Sequence, residues 1–265
     1  MDSQYVYALG TVIPRFPNMG LEKEFAQAAN PDQVTRITQR DVQYQILNKP
    51  ENLYIARDMC WVFSIQNVDT YILEPRSQVE LEALIAMLNK PADITDDVDV
   101  VIGDLGPIAS AEKCNGLQIP IVYVDNTYSF EVQGFLGQIT PDQGVTLPQN
   151  QRNDLARYVF NLLMQLADNV GNLDEHRAIN YLLLRYPEVY NQTFLQNQDQ
   201  KSLDGVNVQM SRLNASGTRR IVDVIFTYRD NSTDVKNRFY ASVDVGSRYP
   251  FLVERLQPYY ERPSF

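Results

Sequence analysis

The sequence predicts an α+β protein with mixed, largely antiparallel sheets, packed helices and two subdomains. Three observations lead there. Each half holds two neighbouring runs of β-branched and aromatic residues, CWVFSI and TYILEP in the first, RRIVDVIFTY and NRFYASVDV in the second. Such pairs, joined by turn-prone residues, read as antiparallel hairpins. Around them lie segments with leucines at helical spacing. Finally, the polar stretch 141–151 holds two prolines and a glycine and separates halves of different charge. Residues 1–150 carry nine basic and twenty acidic side chains, and residues 151–265 carry fourteen and thirteen. Subdomains are therefore expected at 1–140 and 152–265, with 141–151 as linker.

Taken in order, YVYALG reads as a short strand and LEKEFAQAA as a helix, and DVQYQIL (41–47) continues the helical region up to Lys49-Pro50. QNVD supplies the turn of the first hairpin. In SQVELEALIAMLNKP, Ser77 stands as a cap, with Glu80 three residues later as in a capping box. Leu81, Leu84, Ile85 and Leu88 follow at helical spacing, and the helix stops before Pro91. DVDVVIGDLGP and QIPIVYVD are short apolar strands of the kind found in the middle of a sheet.

The second half opens with helices. Leu155, Val159, Leu162, Leu163 and Leu166 make NDLARYVFNLLMQLAD amphipathic. Asp174 is placed to cap DEHRAINYLLLRY, and Pro187 ends that helix or begins another around EVYNQTFL. On RRIVDVIFTY, Val222, Val224, Phe226 and Tyr228 share a face; on NRFYASVDV, Phe239, Ala241, Val243 and Val245 do. RDNSTD turns between them, and the tail PFLVERLQPYYERP is expected as a short helix and an extended end.

A chain of 265 residues can bury a sizeable core without disulfides or metal. No apolar run reaches the roughly 18 residues needed to span a bilayer, so a soluble protein is expected. MDSQYVYALG lacks the basic and apolar regions of a secretory signal, and Cys60 and Cys114 lie 54 positions apart with no CxxC. Free thiols and a cytoplasmic location follow as expectations. The net charge of −10 repels phosphate backbones and anionic lipid, which argues against nucleic acid and membrane surfaces. A cationic or neutral peptide is the better partner.

The chain offers few groups for chemistry. His176 is its only histidine and shares a helical stripe with Ile179, Leu183 and Tyr186, which turns the imidazole inward. An inward imidazole is read first as a core anchor, with a catalytic or ligand role as the alternative. Cys60 or Cys114 with His176 as base would make a thiol dyad, and the three together would suit a zinc ion, yet no pair has ligand spacing. No catalytic residue and no cofactor is assigned, the zinc set Cys60, Cys114 and His176 standing only as the alternative. Asp93, Asp96, Asp97, Asp99 and Asp104 lack the register of an EF-hand, and GDLGP is not a phosphate-binding loop. Sixteen tyrosines and eleven phenylalanines suit both a core and a recognition surface.

Several segments in their order resemble one family. DMCWVFSIQNVDTYILEPRS, DVDVVIGDLGPIA, KCNGLQIPIVYVD, MQLADNVGNLDEHRAINYLLLRYPEVY, SRLNASGTRRIVDVIFTYRDNSTDVKNRFYASVDV and PFLVERLQPYYER are similar to the C-terminal domain of the cyanobactin maturation proteases PatA and PatG. The resemblance implies a setting beside subtilisin-like modules that cut and macrocyclise a ribosomal precursor peptide. It carries over no catalytic residue, because no activity is assigned to the domain in that family. The implied role is a non-catalytic accessory one, with precursor peptide or maturation enzymes as partners and a homodimer as the expected assembly. The alternatives are a zinc-binding or thiol-dependent peptide-modifying enzyme and a structural dimerisation module.

Overall fold

The computed structural model describes residues 4–89, 97–165, 169–216 and 219–260. It divides into two compact units, Met1–Glu131 and Val132–Phe265. The break precedes the stretch predicted as linker, because the short helix Val132–Gly137 packs on the first long helix of the second unit. Chain polarity marks a loop; which neighbour a helix packs on decides the unit.

The first unit contains β1 (Tyr5–Arg15), α1 (Met19–Ala28), α2 (Arg40–Leu47), α3 (Leu53–Asp58), β2 (Cys60–Ile65), β3 (Val68–Pro75), α4 (Gln78–Ala86), β4 (Asp97–Ile108) and β5 (Pro120–Glu131). Its strands close into a barrel in the order β1-β2-β3-β5-β4, antiparallel except for β3 beside β5. β1 is nearly twice as long as YVYALG suggests because it serves two partners, β4 along Tyr5–Gly10 and β2 along Thr11–Arg15. Gly10 stands at the change-over, where a Cβ would collide with the Ser64 carbonyl oxygen. The hairpin of β2 and β3 forms as expected, and Ser77 caps α4 by accepting from the Val79 amide at 3.1 Å.

Among the described residues, the barrel unit buries one acid completely. Asp99 on β4 accepts the Val12 amide at 2.7 Å and an Arg40 guanidinium N–H at 3.1 Å. The same Arg40 nitrogen donates to the Met87 carbonyl at 3.0 Å, so one pair joins β1, β4, α2 and the end of α4. The predicted Asp99 is thus a structural group. Asp93, Asp96 and Pro91 lie outside the described residues.

The second unit contains α5 (Val132–Gly137), α6 (Gln149–Met164), α7 (Asp174–Arg185), α8 (Glu188–Gln198), β6 (Lys201–Met210), β7 (Ile221–Asp230), β8 (Lys236–Asp244) and β9 (Phe251–Pro258). The four strands form an antiparallel sheet in chain order, against which α7 and α8 pack. Val222, Val224 and Phe226 pair with Val243, Ala241 and Phe239, so the two predicted apolar faces are one. Tyr228 continues that face, and its hydroxyl meets Thr193 of α8 at 3.0 Å, which fixes it as the helix-covered side. On α6, Ala156, Val159, Phe160 and Leu163 form the buried stripe, and Leu166 lies outside the described residues.

Two expectations are overturned by the fold, and one strand is new. Asp174 is the first residue of α7 and Leu173 its cap; the Asp174 carboxylate instead pairs with Arg220 at 2.6 Å. The tail does not form a helix: Phe251–Pro258 is β9, because the free edge of β8 offers it a ladder. β6 was not anticipated from KSLDGVNVQM, whose many polar residues suit an edge strand and acquire order by pairing with β7. Among the described residues, no helix is long and apolar enough to cross a membrane.

Candidate functional site

Cys60 and Cys114 form a disulfide, with their Cα atoms 5.5 Å apart. This overturns the expectation of free thiols. Cys60 opens β2, and Cys114 lies in the tight turn Lys113–Gly116 between β4 and β5, which the barrel brings beside it. Spacing along the chain is silent about that meeting. Around the bridge, Val62, Ile72, Ala109 and Ile121 form a buried cluster, with Leu117 and Ile119 packed against it. Cys114, Asn115 and Gly116 all have left-handed backbones, with φ of 50°, 57° and 86°. Two successive non-glycine residues in that region are costly, and such strain persists where surrounding contacts over-determine it.

An open cleft of about 450 Å³ runs beside the bridge. Its apolar floor includes Trp61, Leu73 and Leu81, and its rim carries Arg57, Arg76 and Lys113. Lys113 pairs with Glu74, Arg76 pairs with Asp104 and stands 5.9 Å over the Tyr123 ring, and Arg57 donates to Gln78 at 3.3 Å. The first unit has nine basic side chains in all, against nineteen acidic ones. Three of the nine gather here, so this cleft runs against the sign of its own unit.

His176 belongs to the second unit. On α7 it is buried together with Ile179, Leu183 and Tyr186, as the stripe predicts. The larger event on this helix is Arg177, which sequence reasoning passed over. Its side chain is 98% covered and donates to the carbonyls of Val245 at 2.7 Å, Ser247, and Arg248 at 3.3 Å. A basic residue amid an apolar helix stripe was the available signal. Beside it, Asn180 and Asn169 exchange hydrogen bonds of 2.8 and 3.3 Å. The two disulfide sulfurs offer no thiolate to a metal or to a dyad with His176, and among the described residues no three His, Cys, Asp or Glu side chains converge as a metal-ligating group.

Many of the tyrosines are interior. Burial pushes the hydroxyls of Tyr71, Tyr190 and Tyr228 well above the ordinary phenol value, so they remain protonated donors in the core.

The family model of the PatG domain matches residues 5–212. The chain belongs to the PatG domain family. One solved structure, described as the PatG Domain of Unknown Function, has the same fold, with a TM-score of 0.72 and 19% sequence identity. The match covers 97% of this chain and 99% of that one. Both PatG-type units are therefore shared, including the β7–β9 region beyond the stretch matched by the family model. Among curated proteins, none matches this sequence.

Proposed function

We propose that this PatG-family domain is a non-catalytic accessory module of cyanobactin maturation, which recruits precursor peptide or the enzymes that act on it. The observation that carries this reading is the cleft beside the Cys60–Cys114 bridge, within a fold of the PatG family. Its apolar floor and charged rim suit an extended peptide: side chains bury on Trp61, Leu73 and Leu81 while acidic groups meet Arg57 and compete with Asp104 and Glu74 for Arg76 and Lys113. The local charge favours a segment with acidic residues, although the field of the whole first unit favours the opposite sign. At short range the local contacts win, because salt screens exposed charges beyond about 8–10 Å.

Titration with precursor peptides and with the maturation proteases, followed by calorimetry, tests this. Binding is expected, weakened at least about tenfold in the Arg76→Glu, Lys113→Glu double variant. Absence of binding to every precursor and every maturation enzyme would sink the proposal.

A further inference from the structure

On the side of the second sheet opposite the one where Tyr228 meets α8, a row of polar residues crosses the strands. Gln209 on β6 is opposite Asp223 on β7, Asp223 is opposite Ser242 on β8, and Ser242 is opposite Glu254 on β9. Since side chains alternate along a strand, this row faces away from the side formed by Val222, Val224 and Tyr228. An irregularity in the β8–β9 register on both sides of Ser242 aims Glu254 back over the row.

The hydrogen bonds of this row do not balance. The Ser242 hydroxyl, wholly buried, lies 2.7 Å from Asp223 Oδ1 and 3.2 Å from Glu254 Oε2. It has one proton for two carboxylates. Tyr240 gives its hydroxyl proton to Glu254 Oε2 at 3.1 Å, and the Gln257 amide donates to Tyr240 at 2.9 Å. No further donor among the described residues reaches Asp223, which is 92% covered yet lines the cleft. Arg212, the cation on the cleft wall, pairs with neither acid. Burial, then the hydrogen bond and charge of Glu254, then the charge of Asp223 hold the Tyr240 hydroxyl above the usual phenol value. Among the described residues, the carboxyl groups of Asp223 and Glu254 thus share one site with neutral donors only.

The space above them is a cleft of about 580 Å³ walled by Tyr240, Tyr259 and Tyr260. Tyr240 and Tyr259 meet edge to face, with centroids 5.8 Å apart. A hard metal ion favours several convergent carboxylates, and among the described residues no three His, Cys, Asp or Glu side chains converge. A planar organic cation suits the cleft better: a guanidinium forks onto carboxylates while its face lies on a tyrosine ring.

We infer that the cleft on this side of the second sheet is a binding site for an arginine side chain presented by a peptide, held by Asp223 and Glu254 and flanked by Tyr240 and Tyr259. The site lies in the second unit and is separate from the cleft beside the disulfide. It holds or fails whether or not that cleft takes precursor peptide.

The test is titration of the full chain with a short acetylated, amidated Gly-Arg-Gly peptide, with its citrulline counterpart as control, followed by calorimetry and by the tyrosine ring resonances. The arginine peptide is expected to bind, to shift the Tyr240 and Tyr259 signals, and to weaken at least about tenfold with added salt. Glu254→Gln keeps the size and hydrogen-bonding reach of the side chain and is expected to abolish that binding while the circular dichroism stays unchanged. Equal binding of the citrulline peptide would overturn the inference. So would binding of calcium in place of the arginine peptide, or no tyrosine shift in the folded wild-type protein.

Discussion

The two units face the same structural problem and solve it with different chemistry. In the barrel unit, a turn with three left-handed residues is tied to β2 by the Cys60–Cys114 bridge. In the second unit, the segment that leaves β8, Val245 to Arg248, is tied to α7 by the guanidinium of Arg177. The first fastening is covalent and depends on redox conditions. The second depends on hydrogen bonds sheltered from water and is indifferent to reductant. The most deeply buried charge differs in the same sense, Asp99 beside a partly exposed arginine in one unit and Arg177 on backbone carbonyls in the other.

The largest expected effect comes from removing the covalent tie. Cys60→Ala, Cys114→Ala should cost about 4 kcal/mol by the loop-closure entropy of a bridge spanning 54 positions. Trp61, the only tryptophan, adjoins Cys60, so its fluorescence reads the barrel unit during denaturation. Hydrogen exchange of the β7 amides reads the other unit, and equal losses in both would break the contrast. Next in size is Arg177→Met, expected to cost about 3 kcal/mol because three carbonyls lose their donor. Its loss should show in β7 exchange and leave the Trp61 transition in place.

Asp99→Asn should cost less, about 2 kcal/mol. The amide oxygen can still accept from Val12, and the Arg40 side chain, 28% exposed, recovers some solvation. A Trp61 transition that shifts as far as in the cysteine variant would reverse this ranking. The smallest effect is a pH dependence at the β7–β8 turn. Asp230 accepts from the Ser232 hydroxyl and from the Ser232 and Thr233 amides, which hold its carboxyl well below the ordinary value of 3.8. A depressed folded-state value means that the contribution is complete above 3.8 and is lost as pH falls below it toward the folded-state value. Exchange of the Ser232 and Thr233 amides should quicken across that acidic range while the ladder amides of β7 and β8 hold.

Much of the scaffold was legible because it rests on local patterns. Ser77 and the QNVD turn announced α4 and the first hairpin, and the stripe through His176 announced the buried side of α7. The elements that were missed depend on partners far away in the chain. β9 looks helical in isolation and becomes a strand because β8 has an open edge. The same applies to the candidate sites. Asp223 interrupts the apolar run from Ile221 to Phe226, a visible oddity, but its meaning comes from Ser242 and Glu254 on the next two strands. The bridge removes the support that free thiols gave to a cytoplasmic location.

By itself, then, the sequence determined the α+β class, the positions of most helices and hairpins, and the PatG-family resemblance. Each follows from residue periodicity, turn chemistry and the order of segments. Tertiary structure alone decided the closed barrel, the Cys60–Cys114 bridge, the reach of Arg177 to the end of β8, and the row from Gln209 to Glu254. Those features are distances between groups remote in the chain. Such distances are set by how strands pair and close, and no local preference encodes them.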